Sequence, residues 1–288
     1  MQRRVGDLPV YYVEHGEGMP VLILHGAGVD HREVEACFEP ALAAHGGLRR
    51  IYPDLPGMGR TPAPPALQSA DDVLTLLLGF ADEVVGQKPV LLVGHSAGAY
   101  YAQAFAAQRP ERAAGLALVC PLLSNVRDVP EHRPVVCAQD LGDEEFRGYF
   151  VVQTPGMLER YERFVAPALP LVDAAALERI GQRWELTVAA GPAYGGPTLV
   201  VAGRLDSTVG YAAAVDLLGH YPRATLAVLD GTGHALPHEQ PELLAGLLHA
   251  WLVSTDPTTR GGTAAGGNWA ADSQELFAGV RVVPCLSD

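Results

Sequence analysis

Short apolar runs rich in Val, Leu and Ile alternate along the chain with longer segments in which apolar residues recur at helical spacing. The apolar runs predict strands at residues 10–13, 21–24, 50–52, 89–93, 115–119, 198–201 and 225–229. The amphipathic segments predict helices at residues 71–85, 97–108, 211–218 and 241–253. Strands that alternate with helices indicate right-handed crossovers, so we expect an α/β fold with a parallel sheet flanked by helices.

One long stretch interrupts this alternation. Between residues 121 and 190 the strand pattern is absent, and helical spacing recurs at 158–164 and 174–186 among several aromatic residues. This pattern predicts a helical cap at 121–190, inserted into an α/β core made of residues 1–120 and 191–253.

Composition and charge exclude several classes of function. The chain has 288 residues, of which 48% are hydrophobic, and its formal net charge is −13. Because an acidic chain without a run of Lys or Arg repels phosphate backbones, we expect no nucleic-acid partner. The four cysteines are scattered without metal-ligand spacing, so we expect neither a metal site nor a disulfide framework.

Nothing in the sequence predicts a membrane partner. The N-terminal residues lack the apolar region of a secretory signal, and the longest apolar stretches are far shorter than the roughly 20 residues that cross a bilayer. We therefore expect a cytoplasmic protein. The last segment, 254–288, is rich in Gly, Thr and Ala, which predicts a flexible C-terminal tail. The oligomeric state stays open.

The most specific chemical signal is the segment Gly94-His95-Ser96-Ala97-Gly98. It lies directly after a predicted buried strand and directly before a predicted helix. A G-x-S-x-G segment in that position forms a tight turn that projects the serine hydroxyl above the edge of the sheet. We therefore predict that Ser96 is a nucleophile; the alternative is a glycine-rich turn with an idle serine.

A serine hydroxyl needs a base to take its proton, and ten histidines compete for this role. We predict that His234 is the base, because it follows the last predicted strand and lies at the same edge of the sheet as Ser96. His238 is expected to be a surface or capping residue at the entry to the final helix. His95 lies within the turn itself, where we expect a structural or pocket-lining role.

The base needs an acid that orients it, and this acid should follow a strand between Ser96 and His234. Asp206 lies just past the strand predicted at 198–201, and we predict that it is this acid. Asp216 and Asp230 are rivals, but the first lies within a helical pattern and the second just before the histidine.

The attack of a serine creates an oxyanion, which two backbone N–H groups should stabilise. We predict that Ala97, the residue after the nucleophile, supplies one of them. The other is expected from Ala27, in the loop His25-Gly26-Ala27-Gly28 that follows the strand at 21–24.

Together these segments resemble the α/β-hydrolase family, in which Ser, Asp and His follow one another in this order. The resemblance covers residues 8–253 and rests on His25-Gly26, Asp54-Leu55-Pro56-Gly57-Met58-Gly59, the turn at Ser96, Asp206, and Gly233-His234. It implies an eight-stranded, mostly parallel sheet with a helical cap inserted after the sixth strand. Family members that act as dehalogenases or epoxide hydrolases carry Asp where this chain has Ser96.

The expected function is that of a serine hydrolase, which cleaves a small ester through an acyl-enzyme and needs no cofactor. The first alternative is the hydrolysis of a carbon–carbon bond in a diketone or dienoic acid by the same triad. Family members of that kind hold their acidic substrate with an arginine of the cap, a role open to Arg179 or Arg183, although Ala235 replaces the Trp usual after their histidine. The second alternative is a receptor that binds a small molecule with slow turnover.

Overall fold

A computed structural model describes residues 1–137, 141–187 and 194–256. The tail predicted at 254–288 lies, from residue 257 onward, outside the described residues. The strands are β1 (Gln2–Val5), β2 (Leu8–His15), β3 (Met19–Leu24), β4 (Leu48–Pro53), β5 (Val90–His95), β6 (Ala113–Val119), β7 (Val136–Cys137), β8 (Val152–Gln153), β9 (Thr198–Gly203) and β10 (Ala224–Leu229). The α-helices are α1 (His31–His45), α2 (Ala70–Val85), α3 (Ala97–Gln108), α4 (Glu144–Tyr149), α5 (Pro155–Arg160), α6 (Ala174–Gly181), α7 (Ala212–His220), α8 (Leu236–Glu239) and α9 (Pro241–Thr255).

Eight strands form one sheet in the order β1-β2-β4-β3-β5-β6-β9-β10. β2 pairs antiparallel with both β1 and β4, and every other pair in this sheet is parallel. The chain leaves the sheet after β6, its sixth strand, and returns at β9. The prediction of an α/β fold with a mostly parallel, eight-stranded sheet is confirmed.

Helices cover both faces of the sheet and bury its central strands. Alternate residues of β5 point to opposite faces: Leu92 packs in the cluster that contains α2 and α3, and Val93 packs in the cluster that contains α1 and α9. Every residue of β5 is buried. Because both faces are covered, the central strands are continuous apolar runs, and this made them visible in the sequence.

Three elements of the core are absent from the sequence-based predictions: β1, α1 and the one-turn helix α8. Strand β1, with the sequence Gln-Arg-Arg-Val, lies at the sheet edge with mostly exposed side chains. Helix α1 has Pro40 in its interior and buries polar residues such as His31 and Glu33 beside its apolar ones. Its N-terminus is capped by Asp30, whose side chain accepts a hydrogen bond from the backbone N–H of Arg32.

The segment between β6 and β9 is built from short pieces. Helix α5 continues as a π-helical turn at Tyr161–Val165 and a 3-10 segment at Ala166–Leu171, and α6 ends at Gly181 rather than at residue 186. The expectation that this segment lacks strands is wrong in one detail, because β7 and β8 pair in parallel. Two-residue strands are too short to produce a periodic pattern.

None of the helices in the described ranges is long and apolar enough to cross a membrane.

Candidate active site

Ser96 occupies a tight turn between β5 and α3, with backbone angles φ 54° and ψ −120°. A positive φ is rare for a residue with a side chain and marks a strained position, often at a functional site. Glycine is required on both sides of the turn. A Cβ on Gly94 would meet the backbone of Gly98, and one on Gly98 would meet the carbonyl oxygen of Leu24. The G-x-S-x-G pattern therefore results from the close packing of the helix against the strands.

His234 and Asp206 lie in loops that follow β10 and β9, two neighbouring parallel strands. Their side chains are buried and joined by a hydrogen bond of 2.8 Å between His234 Nδ1 and Asp206 Oδ2. The other carboxylate oxygen of Asp206 accepts the backbone N–H groups of Thr208 and Val209, each at 2.9 Å. Burial alone would raise the pKa of Asp206, but the facing imidazole and these N–H groups hold it below its usual value.

Ser96 and His234 line the same cavity, which has a volume of about 210 Å³. Among the described residues, Ser96 Oγ makes no hydrogen bond. Contacts between a nucleophile and its base are often long without substrate and tighten when substrate binds. The full lining is Gly26, Ala27, Gly28, Val29, Glu33, His95, Ser96, Glu145, Tyr149, Tyr161, Val165, Leu169 and His234.

The loop after β3 is held in place by His25. Its Nε2 accepts the backbone N–H of Leu55 at 2.8 Å, so Nδ1 carries the ring hydrogen and donates it to the carbonyl of Gly26 at 2.7 Å. Burial lowers the pKa of His25, which favours this neutral form. Next in the loop, the N–H of Gly28 faces the sulfur of Met58 at 3.2 Å.

This arrangement leaves the N–H of Ala27 without an acceptor among the described residues, and Ala27 lines the cavity beside Ser96. Ala97 is the first residue of α3, so its N–H has no acceptor within that helix. Of the two N–H groups predicted for an oxyanion hole, one thus belongs to the loop after β3 that lines the cavity with Ser96, and the other to the first residue of α3, directly after Ser96.

The segment from Asp54 to Gly59 supports the loop from outside the cavity. Asp54 is buried and accepts hydrogen bonds from the backbone N–H and ring of His31, at 3.0 and 2.6 Å, and from the N–H of Arg60 at 2.8 Å. Gly59 lies against this carboxylate with a φ of 57°, and a Cβ there would collide with it. Asp54 therefore joins this segment to the start of α1.

A second buried carboxylate borders the cavity, and the sequence did not identify it. Glu33, on α1, is 2% exposed, and its Oε1 accepts the hydroxyl of Tyr149 at 2.6 Å. Two imidazoles face it at longer distances: His95 Nδ1 lies 3.7 Å from Oε2, and His238 Nε2 lies 3.6 Å from Oε1. The expected surface or capping role of His238 is wrong, because α8 turns this side chain inward until it is fully buried.

The carboxylate and the imidazoles of this cluster shift one another's pKa values. Burial alone would raise the pKa of Glu33, but His238 and His95 hold it well below its usual range. Burial alone would lower the pKa of His95, yet the carboxylate of Glu33 raises it. Burial lowers the pKa of His238.

Glu239 connects the loop of His234 to the segment between β6 and β9. One oxygen accepts the hydroxyl of Thr232 at 2.6 Å and the N–H of Gly233 at 2.8 Å. The other accepts the N–H groups of Val151 and Val152 at 2.7 and 3.0 Å. These four bonds fix the loop that carries His234, and no local sequence signal indicates them.

The remaining candidates lie away from the cavity. Arg179 donates to the carbonyl oxygens of Leu67 and Ala63, and neither it nor Arg183 belongs to the cavity lining. Asp216 is exposed and pairs with Arg127 at 2.6 Å. The predicted acid, Asp206, is the one of the three aspartates that forms a hydrogen bond to His234 in the described chain.

Two clusters of side chains have ligand atoms within 4.8 Å of one another, as a metal site requires. They are His95 with Cys120 and His234, and Asp30 with His31 and Asp54. In each cluster a histidine already bonds to a buried aspartate, at 2.8 Å for His234 and 2.6 Å for His31. Burial raises the pKa of Cys120 well above its usual value, which opposes the thiolate that a metal needs.

A larger, open groove of about 1210 Å³ lies elsewhere, between the β1–β2 turn and residues 57–67. As far as the described residues show, its lining contains none of Ser96, His234 and Asp206, and no other serine, histidine or cysteine. The smaller cavity is the one of these two that Ser96 and His234 line.

Known proteins share this arrangement of elements. A model of the alpha/beta hydrolase family matches residues 21–247. The magnesium-chelatase 30 kDa subunit of Rhodobacter capsulatus is 25% identical over 272 residues, which cover 87% of this chain and 93% of that protein. The 2-hydroxy-6-oxononadienedioate/2-hydroxy-6-oxononatrienedioate hydrolase 2 of Pseudomonas putida is 28% identical over 268 residues, with coverage of 82% and 88%. The structure of an alpha/beta superfamily hydrolase from Oenococcus oeni PSU-1 superposes with a TM-score of 0.80 at 27% identity, over 88% of this chain and 99% of that one. Because the family model spans well over half of the residues, the chain belongs to the alpha/beta hydrolase family.

Proposed function

We propose that this chain is a serine hydrolase that cleaves a small ester through Ser96, His234 and Asp206. The observation that carries the proposal is the buried hydrogen bond of 2.8 Å between His234 and Asp206, beside a cavity that Ser96 also lines. A volume of about 210 Å³ is below the range of roughly 300–1,000 Å³ for sites that take drug-sized ligands, which favours a short acyl group.

In the first half of the reaction, His234 Nε2 takes the proton of Ser96 as Oγ attacks the ester carbonyl. Asp206 holds the Nδ1–H of the ring and stabilises the imidazolium that forms. The N–H groups of Ala27 and Ala97 stabilise the oxyanion. When the intermediate collapses, the imidazolium gives its proton to the departing alcohol and an acyl-Ser96 remains.

In the second half, His234 takes a proton from water, which attacks the acyl carbonyl. Collapse of this intermediate returns the proton to Ser96 Oγ and releases the carboxylic acid. Water is the only co-reactant, and the chain's own side chains move every proton.

Ester cleavage fits this cavity better than hydrolysis of a carbon–carbon bond in an acidic substrate. The relative from Pseudomonas putida is named for a dioate, which carries two negative charges. The described residues that line the cavity here include Glu33 and Glu145 but no Lys or Arg. Arg179, the cation that such a substrate could use, is bonded to backbone carbonyls instead.

We also propose that residues 121–190 act as a cap over the cavity of the core, 1–120 and 191–253. Four lining residues support this role: Tyr149, Tyr161, Val165 and Leu169. The bonds from Glu239 to Val151 and Val152 tie the cap to the loop of His234. Closure of such a segment excludes water from the reacting ester.

Labelling with a fluorophosphonate, followed by peptide mass spectrometry, tests the nucleophile. The expected result is one adduct on Ser96 in the native protein and none in Ser96→Ala. Turnover of short p-nitrophenyl esters should disappear in the same variant. A folded protein without an adduct or turnover would contradict the proposal and favour a small-molecule receptor.

A further inference from the structure

We propose that Glu33 and His95 form a polar subsite beside Ser96, which accepts an O–H or N–H donor carried by the acyl part of the substrate. Such a subsite selects one class of substrate: short esters whose acyl part carries a hydroxyl or ammonium group close to the carbonyl. This inference rests on the ester hydrolysis proposed above.

The first argument is that two buried polar atoms of residues in the cavity wall make no hydrogen bond within the described chain. Within the described chain, neither Glu33 Oε2 nor His95 Nδ1 makes a hydrogen bond, although both side chains are only 2% exposed. The two atoms are 3.7 Å apart, which is too far for a direct hydrogen bond. Buried polar atoms are nearly always satisfied, because leaving them unpaired costs free energy. Both residues line the cavity beside Ser96.

The second argument is the direction in which hydrogen bonds must run. His95 Nε2 lies 3.1 Å from the carbonyl oxygen of His234, which only accepts, so Nε2 carries a hydrogen. In a neutral ring Nδ1 is then an acceptor, as is the facing oxygen of Glu33. Two acceptors that face each other at 3.7 Å require a donor between them. If the ring is protonated, Nδ1 donates, and Glu33 Oε2 remains as the acceptor.

The geometry suits a single bridging atom. Because Glu33 Oε2 and His95 Nδ1 are 3.7 Å apart, one oxygen atom can lie at a hydrogen-bond distance of about 2.8 Å from both. A hydroxyl can donate to Glu33 in either state of His95 and can also accept from a protonated ring. An ammonium group satisfies both atoms only when His95 is neutral. The Tyr149 hydroxyl occupies Glu33 Oε1, so Oε2 stays available to the substrate.

The subsite lies next to the nucleophile. A point at the missing Cβ of Gly26 is 3.5 Å from His95 Nδ1 and 3.8 Å from Ser96 Oγ. The carbonyl carbon of a bound ester comes to about 3–3.5 Å from the attacking oxygen. A donor within about three bonds of that carbon can therefore reach the subsite, which places it near the β-position of the acyl chain.

Four p-nitrophenyl esters of similar size test this assignment: the butanoate, the 3-hydroxypropanoate, the 3-aminopropanoate and the monosuccinate. They place a methyl, hydroxyl, ammonium or carboxylate group at a similar position. We expect kcat/KM for the hydroxyl or ammonium ester to exceed that for butanoate by roughly tenfold or more, and the monosuccinate to be slowest. Comparison of the hydroxyl ester with the ammonium ester shows whether the donor that binds the subsite is an O–H or an N–H group.

Glu33→Gln is the decisive variant. The Tyr149 hydroxyl keeps an oxygen at the Oε1 position, so the amide NH₂ takes the place of Oε2 and turns the free acceptor into a donor. The preference for the hydroxyl or ammonium ester over butanoate should fall to about one. Glu35→Gln is the matched control, since Glu35 lies on the same helix but bonds to His15 at 2.7 Å outside the cavity, and it should keep the native preference.

Each outcome bears on a separate claim. Equal rates on the methyl, hydroxyl and ammonium esters, or fastest turnover of the monosuccinate, would overturn the subsite and leave ester hydrolysis standing. Absence of turnover and of any fluorophosphonate adduct would overturn ester hydrolysis. In that case, ligand-observed NMR of Ser96→Ala with 3-hydroxypropanamide and butanamide decides the subsite: stronger binding of the hydroxy amide supports it, and equal binding refutes it.

Discussion

Asp206 and Glu33 are both buried carboxylates that face a histidine, but they differ in how their oxygens are bonded. Asp206 has a partner on each oxygen: His234 on one and two backbone N–H groups on the other. Glu33 has Tyr149 on one oxygen, and its other oxygen faces His95 Nδ1 at 3.7 Å but makes no hydrogen bond in the described chain. A carboxylate bonded on both sides holds a ring in a fixed orientation, whereas one with a free oxygen inside a cavity is available to a ligand.

The two carboxylates also differ in how far along the chain their partners lie. Asp206 accepts N–H groups two and three residues away, while Glu33 bonds to Tyr149, 116 positions distant. The environment of Asp206 is therefore largely local to one turn after β9. The environment of Glu33 depends on how the segment between β6 and β9 packs against α1. Substitution of Asp206 should consequently affect turnover of every ester, whereas substitution of Glu33 should affect the preference among esters and the stability in acid.

The largest expected effect is that of Asp206→Asn. The amide replaces the acceptor for His234 Nδ1–H, so the ring loses its orientation and its stabilisation as an imidazolium. We expect kcat to fall by about 10⁴-fold for every ester, whatever its acyl group. Steady-state rates on the four p-nitrophenyl esters check this, and a loss confined to the hydroxyl or ammonium ester would contradict it.

Glu239→Gln tests a third carboxylate, which is fully bonded like Asp206 but does not line the cavity. Its oxygens accept one hydroxyl and three backbone N–H groups, and a glutamine would turn an NH₂ toward two of these donors. We expect the free energy of unfolding to fall by about 2–4 kcal/mol in urea denaturation. Glu242→Gln, at an exposed position of α9, should change it by less than about 0.5 kcal/mol. Equal stability of the two variants would show that the four bonds contribute little.

Acid unfolding separates the contribution of Glu33 from those of other groups. Its pKa is lower in the folded chain than the value of about 4.3 in an unfolded chain, because of the facing histidines. The stability that results is present above pH 4.3 and is lost as the pH falls through the folded pKa. Relative to Glu33→Gln, the native protein should therefore lose stability more steeply below about pH 4.3. Parallel curves of urea midpoint against pH for the two proteins would be evidence against this.

The smallest expected effect is that of Tyr149→Phe. This change removes the hydrogen bond to Glu33 Oε1 and keeps the aromatic ring in the cavity wall. We expect a loss of about 1 kcal/mol in the free energy of unfolding. Tyr11→Phe is the control, because its hydroxyl accepts from Arg60 at an exposed position, and it should cost less. A larger loss of unfolding free energy in Tyr11→Phe than in Tyr149→Phe would mean that burial of the Tyr149 hydrogen bond adds nothing to its contribution to stability.

The sequence located those parts of the site that depend on short segments. Ser96 was identified because its turn requires glycine at positions 94 and 98, and this constraint acts within five residues. Asp206 and His234 were identified because the ends of parallel strands meet at one edge of the sheet. The 2.8 Å bond between these two side chains agrees with that placement, while their catalytic role remains a proposal.

Other parts of the site carry no local signal. Glu33, Tyr149 and His238 come from α1, α4 and α8, three elements far apart along the chain. His238 was expected at the surface because a histidine beside polar residues at a helix start is usually exposed. Its burial depends on the way α8 packs against α1, which sequence spacing does not show.

The sequence by itself therefore determined the α/β fold, the strained turn at Ser96 and the strand ends that carry Asp206 and His234, because steric limits on glycine and the burial of strands act over short distances. Only the tertiary structure decided which polar side chains border the cavity and which of them lack a partner. Hydrogen bonding between distant elements depends on the angle and depth at which helices pack, to within a few tenths of an ångström. The spacing of apolar residues shows which face of a helix is buried, but it does not show how closely that helix approaches its neighbours.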